Sequence, residues 1–299
     1  MSLKNNILIV GGTGFIGYHL AKKSLKKGWQ VTSISSRLPR KKRYLPKVKY
    51  ILCDITKKKS LKKNIQKPFN YVVNLGGYVD HSNRKKTFES HYIGCKNLAE
   101  IFLKKAPIAF VQMGSSAEYG NVKSPQKENA KCNPKSVYGQ AKLLSSIYLI
   151  DLFKKQKFPS TILRLYNTYG PRQDLNRFIP IIISGCIKNK KFPCSKGNQL
   201  RDFLHIDDVV DAILKSLTSK NARGQIINLG SGKPRIIKNI IEYIKKILKG
   251  GYPQFGKIKL RKDEILKVYP DINKAKNKIN WRPKISFKKG LKVTIDSFK

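Results

Sequence analysis

Residues 7–17 read ILIVGGTGFIG. The first four are apolar and mostly β-branched, as a strand covered on both faces requires. Gly11, Gly14 and Gly17 follow in a GxxGxxG spacing, and a helical period takes over from Phe15 to Lys27. A strand turning sharply into a helix needs a residue without a Cβ at the bend. Close backbone approach to a pyrophosphate needs another, and tight packing of helix on strand a third. The free N–H groups of the helix start, where Phe15 and Ile16 stand, then face the phosphates. In the first βα unit this is a dinucleotide-binding signature; an ordinary tight turn is the plainer alternative.

Beyond this loop, short β-rich runs alternate with longer helical patterns. Strands are expected at Asn6–Val10, Gln30–Ile34, Lys49–Leu52, Tyr71–Leu75, Ala109–Met113 and Thr161–Leu165. Helices are expected at Phe15–Lys27, Thr87–Lys105 and Val137–Lys155. This predicts an α/β fold, a Rossmann-type doubly wound parallel sheet. After Gly170 the prolines 171, 180, 193, 234, 253 and 283 break the chain into short elements. Residues 1–170 are therefore expected to be the dinucleotide-binding domain with the catalytic residues, and residues 171–299 mainly a smaller C-terminal substrate-binding lobe. A segment near residues 200–230, with strand Gln225–Leu229, is expected to return to the main sheet.

The carboxyl ends of the strands carry the cofactor readings. An acidic residue after the second strand bonds the adenosine ribose and selects NAD. No Asp or Glu precedes Asp54, and Ser35, Ser36 and Arg37 fill that position. The Arg37 fork suits a 2′-phosphate, so NADP is the expected cofactor and NAD the alternative. Asp54 and Ile55 follow the third strand, where a carboxylate can meet the adenine amino group, and Leu75 and Gly76 close the fourth.

Composition excludes other classes. Apolar residues make up 40 % of the chain, and runs such as Ile7–Val10 and Ile179–Ile183 are too short to cross a bilayer. The start, MSLKNNILIVGG, has no signal-peptide h-region. Five cysteines stand singly, which argues against a disulfide framework or a metal site and for buried thiols in a reducing cytoplasm. Net charge is +46, from 63 Lys and Arg against 17 carboxylates. Such charge attracts polyanions. The lysines are dispersed rather than clustered with stacking aromatics, though, so neither nucleic acid nor membrane is an expected partner. The densest basic stretch is Arg37–Lys67.

Tyr138 and Lys142 stand four apart in SVYGQAK, on one helix face. An ammonium beside a phenol favours phenolate and suits it to proton transfer. Upstream, GSSAEYG (114–120) brings the Ser115 and Ser116 hydroxyls to the sheet's carboxyl edge.

With these motifs the chain resembles the extended short-chain dehydrogenase/reductase family, whose members are nucleotide-sugar epimerases, dehydratases and reductases. The likeness continues through LRLYNTYGP (163–171), QLRDFLHIDDVVDAI (199–213), INLGSGKP (227–234), YPDINKAK and NWRP. It implies that Tyr138 exchanges a proton with the sugar oxygen while hydride moves to or from nicotinamide. It also implies that Lys142 bonds the nicotinamide ribose, that Ser115 orients the sugar oxygen, and that Ser116 lies at the substrate. Asn167 and Arg201 are implied at the substrate diphosphate, with Arg261 as a second arginine. A homodimer built through the YxxxK helix is a further implication, as is a place in polysaccharide biosynthesis.

Departures from the family narrow the activity. Dehydratases carry an acid just after the catalytic Ser/Thr, where this chain has Ser116 and Ala117, with Glu118 displaced by one. Gly76–Gly77 replaces alanines common in relatives, with no consequence expected, and His91 replaces an asparagine and is expected to be structural. The leading expectation is NADPH-dependent reduction of a nucleoside-diphosphate 4-keto-6-deoxy-sugar. An NAD-dependent nucleotide-sugar 4-epimerase is the alternative. A non-catalytic RNA-binding protein on the same fold is a third reading, disfavoured by the retained Ser115, Tyr138 and Lys142.

Overall fold

Residues Ile7–Val10 are almost completely buried, with at most 1 % exposure, because helices cover both faces of the strand they form. In this computed structural model, which describes residues 5–78, 80, 82–260 and 264–298, that strand is β1 (Asn6–Val10). It is followed by α1 (Phe15–Lys26), β2 (Gln30–Ser35), β3 (Val48–Leu52), α2 (Lys58–Asn64) and β4 (Tyr71–Asn74). Next come α3 (Arg84–Phe88), a π-helical turn (Glu89–Ile93) and α4 (Gly94–Leu103). β5 (Ala109–Ser115), a 3-10 turn (Ser116–Tyr119), α5 (Val137–Gln156) and β6 (Ser160–Leu165) complete the first half.

The second half begins with β7 (Asn167–Tyr169), α6 (Phe178–Ile187), β8 (Lys191–Pro193), β9 (Leu200–Arg201) and β10 (Phe203–His205). It continues with α7 (Ile206–Thr218), β11 (Gln225–Leu229), β12 (Arg235–Ile236), α8 (Ile237–Leu248) and β13 (Tyr252–Gln254). β14 (Lys267–Val268), α9 (Asn273–Ile279) and α10 (Phe287–Asp296) end the chain.

The main sheet has seven parallel strands in the order β11-β6-β5-β4-β1-β2-β3. The order reverses between β1 and β4, and the crevice at their carboxyl ends is where open α/β sheets bind ligands. Pleating divides β1 between two cores. Ile7 and Ile9 join a core with Leu20 and Ala21 of α1, Val209 and Ile213 of α7, and Trp281. Leu8 and Val10 join another with Leu98 of α4 and Leu149 of α5. Fully burying such a side chain contributes roughly 1.5–3 kcal/mol. A third core of Ile183, Ile240, Ile244 and Leu291 lies among α6, α8 and α10.

The doubly wound sheet is the one expected, including the return of Gln225–Leu229 beside β6. The helix expected at Thr87–Lys105 runs from Arg84 to Leu103 and passes through the π turn, which carries His91. One reading needs correction. Cys132 is half-buried, whereas Cys53, Cys95, Cys186 and Cys194 are buried thiols. Among the described residues no helix is long and apolar enough to cross a membrane.

Candidate active site

The glycine loop has the form its sequence requires. Gly11 has φ +78°, and a Cβ there would lie 3.0 Å from the Leu75 carbonyl carbon and oxygen. A Cβ on Gly17 would lie 2.4 Å from the Gly11 oxygen, so α1 touches the loop backbone. Gly12 is equally constrained, with a Cβ falling 2.4 Å from Ser33 Oγ. The first turn of α1 has no side-chain cap and no acidic residue. A bare cradle ending on unshared backbone N–H groups fits a pyrophosphate.

Around this loop, Phe15 and Ile16 are half-buried in the first turn. Arg37 is exposed just beyond β2, while Ser35 Oγ accepts a long bond from Thr13 N (3.4 Å). Asp54 is exposed after β3 and accepts from Thr56 N (2.9 Å) and Thr56 Oγ1 (2.8 Å). Ile55 is buried, its Cδ1 reaching the space a side chain would take at Gly76. Leu75 N donates to Val10 O (2.9 Å), and Gly76 N to Asn74 Oδ1 (3.0 Å). All of these lie at the carboxyl ends of β1–β4.

Ser115, Tyr138 and Lys142 converge at the end of the neighbouring strand. Ser115 is the last residue of β5 and is 9 % exposed, and its Oγ accepts from Ala117 N (3.1 Å). Burial pushes the Tyr138 phenol above its ordinary value; the neighbouring Ser115 hydroxyl draws it back, Glu118 raises it and Arg177 lowers it. The Lys142 ammonium is buried, donates to Met113 O (2.7 Å) and lies 6.0 Å from the Tyr138 ring centroid. Burial pushes Lys142 down to about 8, against the pull of Glu118 and then Cys95. Ser136 caps α5, accepting from Gly139 N (3.1 Å), which fixes where the helix enters beside Ser115.

Ser116 is half-buried at the same edge. Glu118 is fully buried against Arg164. On the C-terminal side, Asn167 is exposed at the start of β7 and donates to Asp202 O (3.0 Å). Arg201 donates through Nη1 to Leu200 O (3.0 Å) and Leu266 O (3.1 Å), and through Nη2 to Glu264. Arg261 lies outside the described residues.

Two contacts escaped the sequence reading. The His91 ring packs edge-on against Tyr138, with centroids 4.9 Å apart and planes at 76°. The same ring fills the space beside Gly77, where a Cβ would lie 1.9 Å from His91 Cε1. The two departures from the family are therefore a single feature, and only the pairing of an unusual glycine with an unusual histidine hints at it.

Comparison with known proteins agrees with this geometry. The model of the NAD dependent epimerase/dehydratase family matches residues 7–230. A putative UDP-glucose 4-epimerase of Methanocaldococcus jannaschii is 30 % identical, covering 98 % of each chain. The crystal structure of UDP-glucose 4-epimerase with UDP-glucose from Thermotoga maritima superposes with a TM-score of 0.92 at 26 % identity, covering 98 % of each chain. UDP-glucuronic acid 4-epimerase from Bacillus cereus, in complex with UDP-glucuronic acid and NAD, gives 0.89 at 25 % identity over the same coverage. With a family model spanning the sheet from β1 to β11 and a full-length relative at this identity, the chain belongs to the NAD dependent epimerase/dehydratase family.

Proposed function

We propose that this chain is a nucleotide-sugar 4-epimerase holding NAD at the β1–β4 crevice. The observation that carries the reading is the Ser115–Tyr138–Lys142 cluster, with the nearest carboxylate, Glu118, sealed away behind it. An acid for eliminating water is thereby missing, and oxidation and reduction at a secondary alcohol is the chemistry this set suits. When bound, nicotinamide supplies a reversible hydride acceptor. Tyr138 takes the proton from the sugar C4 hydroxyl and returns it to the reoriented keto oxygen. Ser115 orients that oxygen, and the Lys142 ammonium stabilises the phenolate form of Tyr138. Asn167 and Arg201 hold the diphosphate, with Arg261 as a second cation, because the guanidinium fork matches phosphate oxygens.

In this reading residues 1–170 bind the dinucleotide and residues 171–299 mainly shape the sugar pocket. Two copies pair through α5, which leaves Leu144 (38 %) and Ile147 (55 %) exposed on its outer side. A second reading, NADPH-dependent reduction of a nucleoside-diphosphate 4-keto-6-deoxy-sugar, draws support from the exposed Arg37 after β2 and the lack of a carboxylate there. The test is to incubate the protein with UDP-glucose or UDP-glucuronate without added dinucleotide and follow the C4 epimer by proton NMR. Interconversion supports the epimerase. No epimer, together with NADPH consumption on a 4-keto sugar, overturns it in favour of the reductase.

A further inference from the structure

Glu118 is 0 % exposed and is not used in the mechanism above. Its Oε1 accepts from Ser115 N (2.8 Å), and its Oε2 from Ser146 Oγ (2.8 Å) and Arg164 Nε (2.8 Å). One carboxylate thus ties the end of β5, which bears Ser115, to α5, which bears Tyr138 and Lys142, and to β6. Ser146 stands one helical turn beyond Lys142, on the same side of α5. The strand makes room for the carboxylate at Gly114, where a Cβ would lie 2.5 Å from Glu118 Oε1. Arg164, 2 % exposed, is held on the far side by the Tyr119 ring, 4.5 Å from its guanidinium carbon.

We propose that Glu118 is the positioning residue of this site. Its clamped carboxylate sets the Ser115 hydroxyl against Tyr138 and supplies the buried negative charge behind Lys142. The inference rests on the reading of Ser115, Tyr138 and Lys142 as the reacting groups.

A buried carboxylate stabilises the protonated forms of both neighbours, the Lys142 ammonium and the neutral Tyr138 phenol. This is the direction in which Glu118 acts on each. The other ionisable groups facing the pair are Cys95 from α4, acting on Lys142, and Arg177 from the loop before α6, acting on Tyr138. The His91 ring from the π turn packs on Tyr138, and Arg164 from β6 lies against Glu118 itself. Among these groups Glu118 acts on Lys142 more strongly than any other, after burial itself.

The experiment compares wild type with Glu118→Gln, and with Glu118→Gln combined with Arg164→Met, which leaves no unpaired charge in the core. The tyrosinate absorbance of each, minus that of its Tyr138→Phe counterpart, titrates the Tyr138 phenol without any substrate. The pH profile of turnover is recorded in parallel. Both titrations are expected to move to lower pH by roughly one unit, the low end of the effect that a nearby charge has on a titratable group. Glu118→Asp keeps the charge but withdraws it by a methylene, so its turnover falls while both titrations stay in place.

Unmoved titrations in the folded charge-removing variants, whatever their rates, overturn the proposal. A shifted tyrosinate titration, together with a wild type that itself turns over no nucleotide sugar, upholds the electrostatic role of Glu118 and refutes the epimerase reading instead.

Discussion

Gly77→Ala inserts one methyl group into the contact between His91 and the backbone, and the consequence follows from distances. The new Cβ would lie 1.9 Å from His91 Cε1, 2.3 Å from Nδ1 and 2.8 Å from Nε2. Comfortable carbon contacts begin near 3.5 Å, so the ring must retreat by about 1.5 Å. It is bonded through Nε2 to Tyr78 O (3.2 Å) and packed against Tyr138, and its backbone oxygen accepts from Ser145 Oγ (2.8 Å). Retreat therefore breaks the Tyr78 bond or displaces the Tyr138 phenol. Overpacking of this kind costs about 1–3 kcal/mol in stability. Misplacing a reacting group by about 1 Å costs on the order of 10²-fold in rate. Thermal melting, dinucleotide affinity and kcat on the epimerisation substrate are the assays. The expected result is a lowered Tm and a kcat reduced by about 10²-fold, with part of the rate restored when His91→Ala is added, the rest being lost to the strain of a side chain at the Gly77 φ of +159°. A Gly77→Ala enzyme with wild-type Tm and kcat would show that the His91 ring gives way freely, and a double variant no faster than the single one would show that His91 does not carry the effect.

Further outcomes follow from other parts of the site. Arg37→Ala should weaken NADPH binding more than NADH binding in equilibrium titrations; equal losses would leave Arg37 without a role at a 2′-phosphate. Lys142 is cationic below its depressed pKa of about 8 and neutral above it. Turnover that depends on the ammonium should therefore fall as pH rises through that value, and a rate flat well above pH 8 would contradict the role. Leu144→Glu with Ile147→Glu places charges on the exposed side of α5 and should convert a dimer to monomers in sedimentation velocity. An unchanged sedimentation coefficient would remove α5 from the interface.

The parts of this molecule legible in the sequence are those whose physical cause is local. A glycine at the end of a strand, two glycines where a helix must touch it, and continuous apolar strands located β1, its loop and the parallel sheet. The four-residue spacing of Tyr138 and Lys142 located one helix face. What escaped depends on contacts between distant residues. α2 was missed because KKSLKKN presents only Leu61 to the core and makes no apolar stripe. The π turn leaves no periodic trace in the helix that runs through it. The environment of Glu118 is set by Arg164, 46 residues away, and by Ser146, 28 away. Neither spacing can be read from GSSAEYG, so a residue that looked like a misplaced catalytic acid is a buried clamp. His91 and Gly77 likewise acquire meaning only together.

In the proposed function Tyr138 moves the proton in a site that holds its dinucleotide independently of that phenol. Tyr138→Phe tests it most directly, with dinucleotide content measured by mass spectrometry of the denatured protein and turnover measured on the same sample. Dinucleotide binding is expected to stay within a few-fold of wild type and the rate to fall by about 10²–10⁴, the usual contribution of a positioned proton-transfer group. Turnover at the wild-type rate would contradict that role of Tyr138.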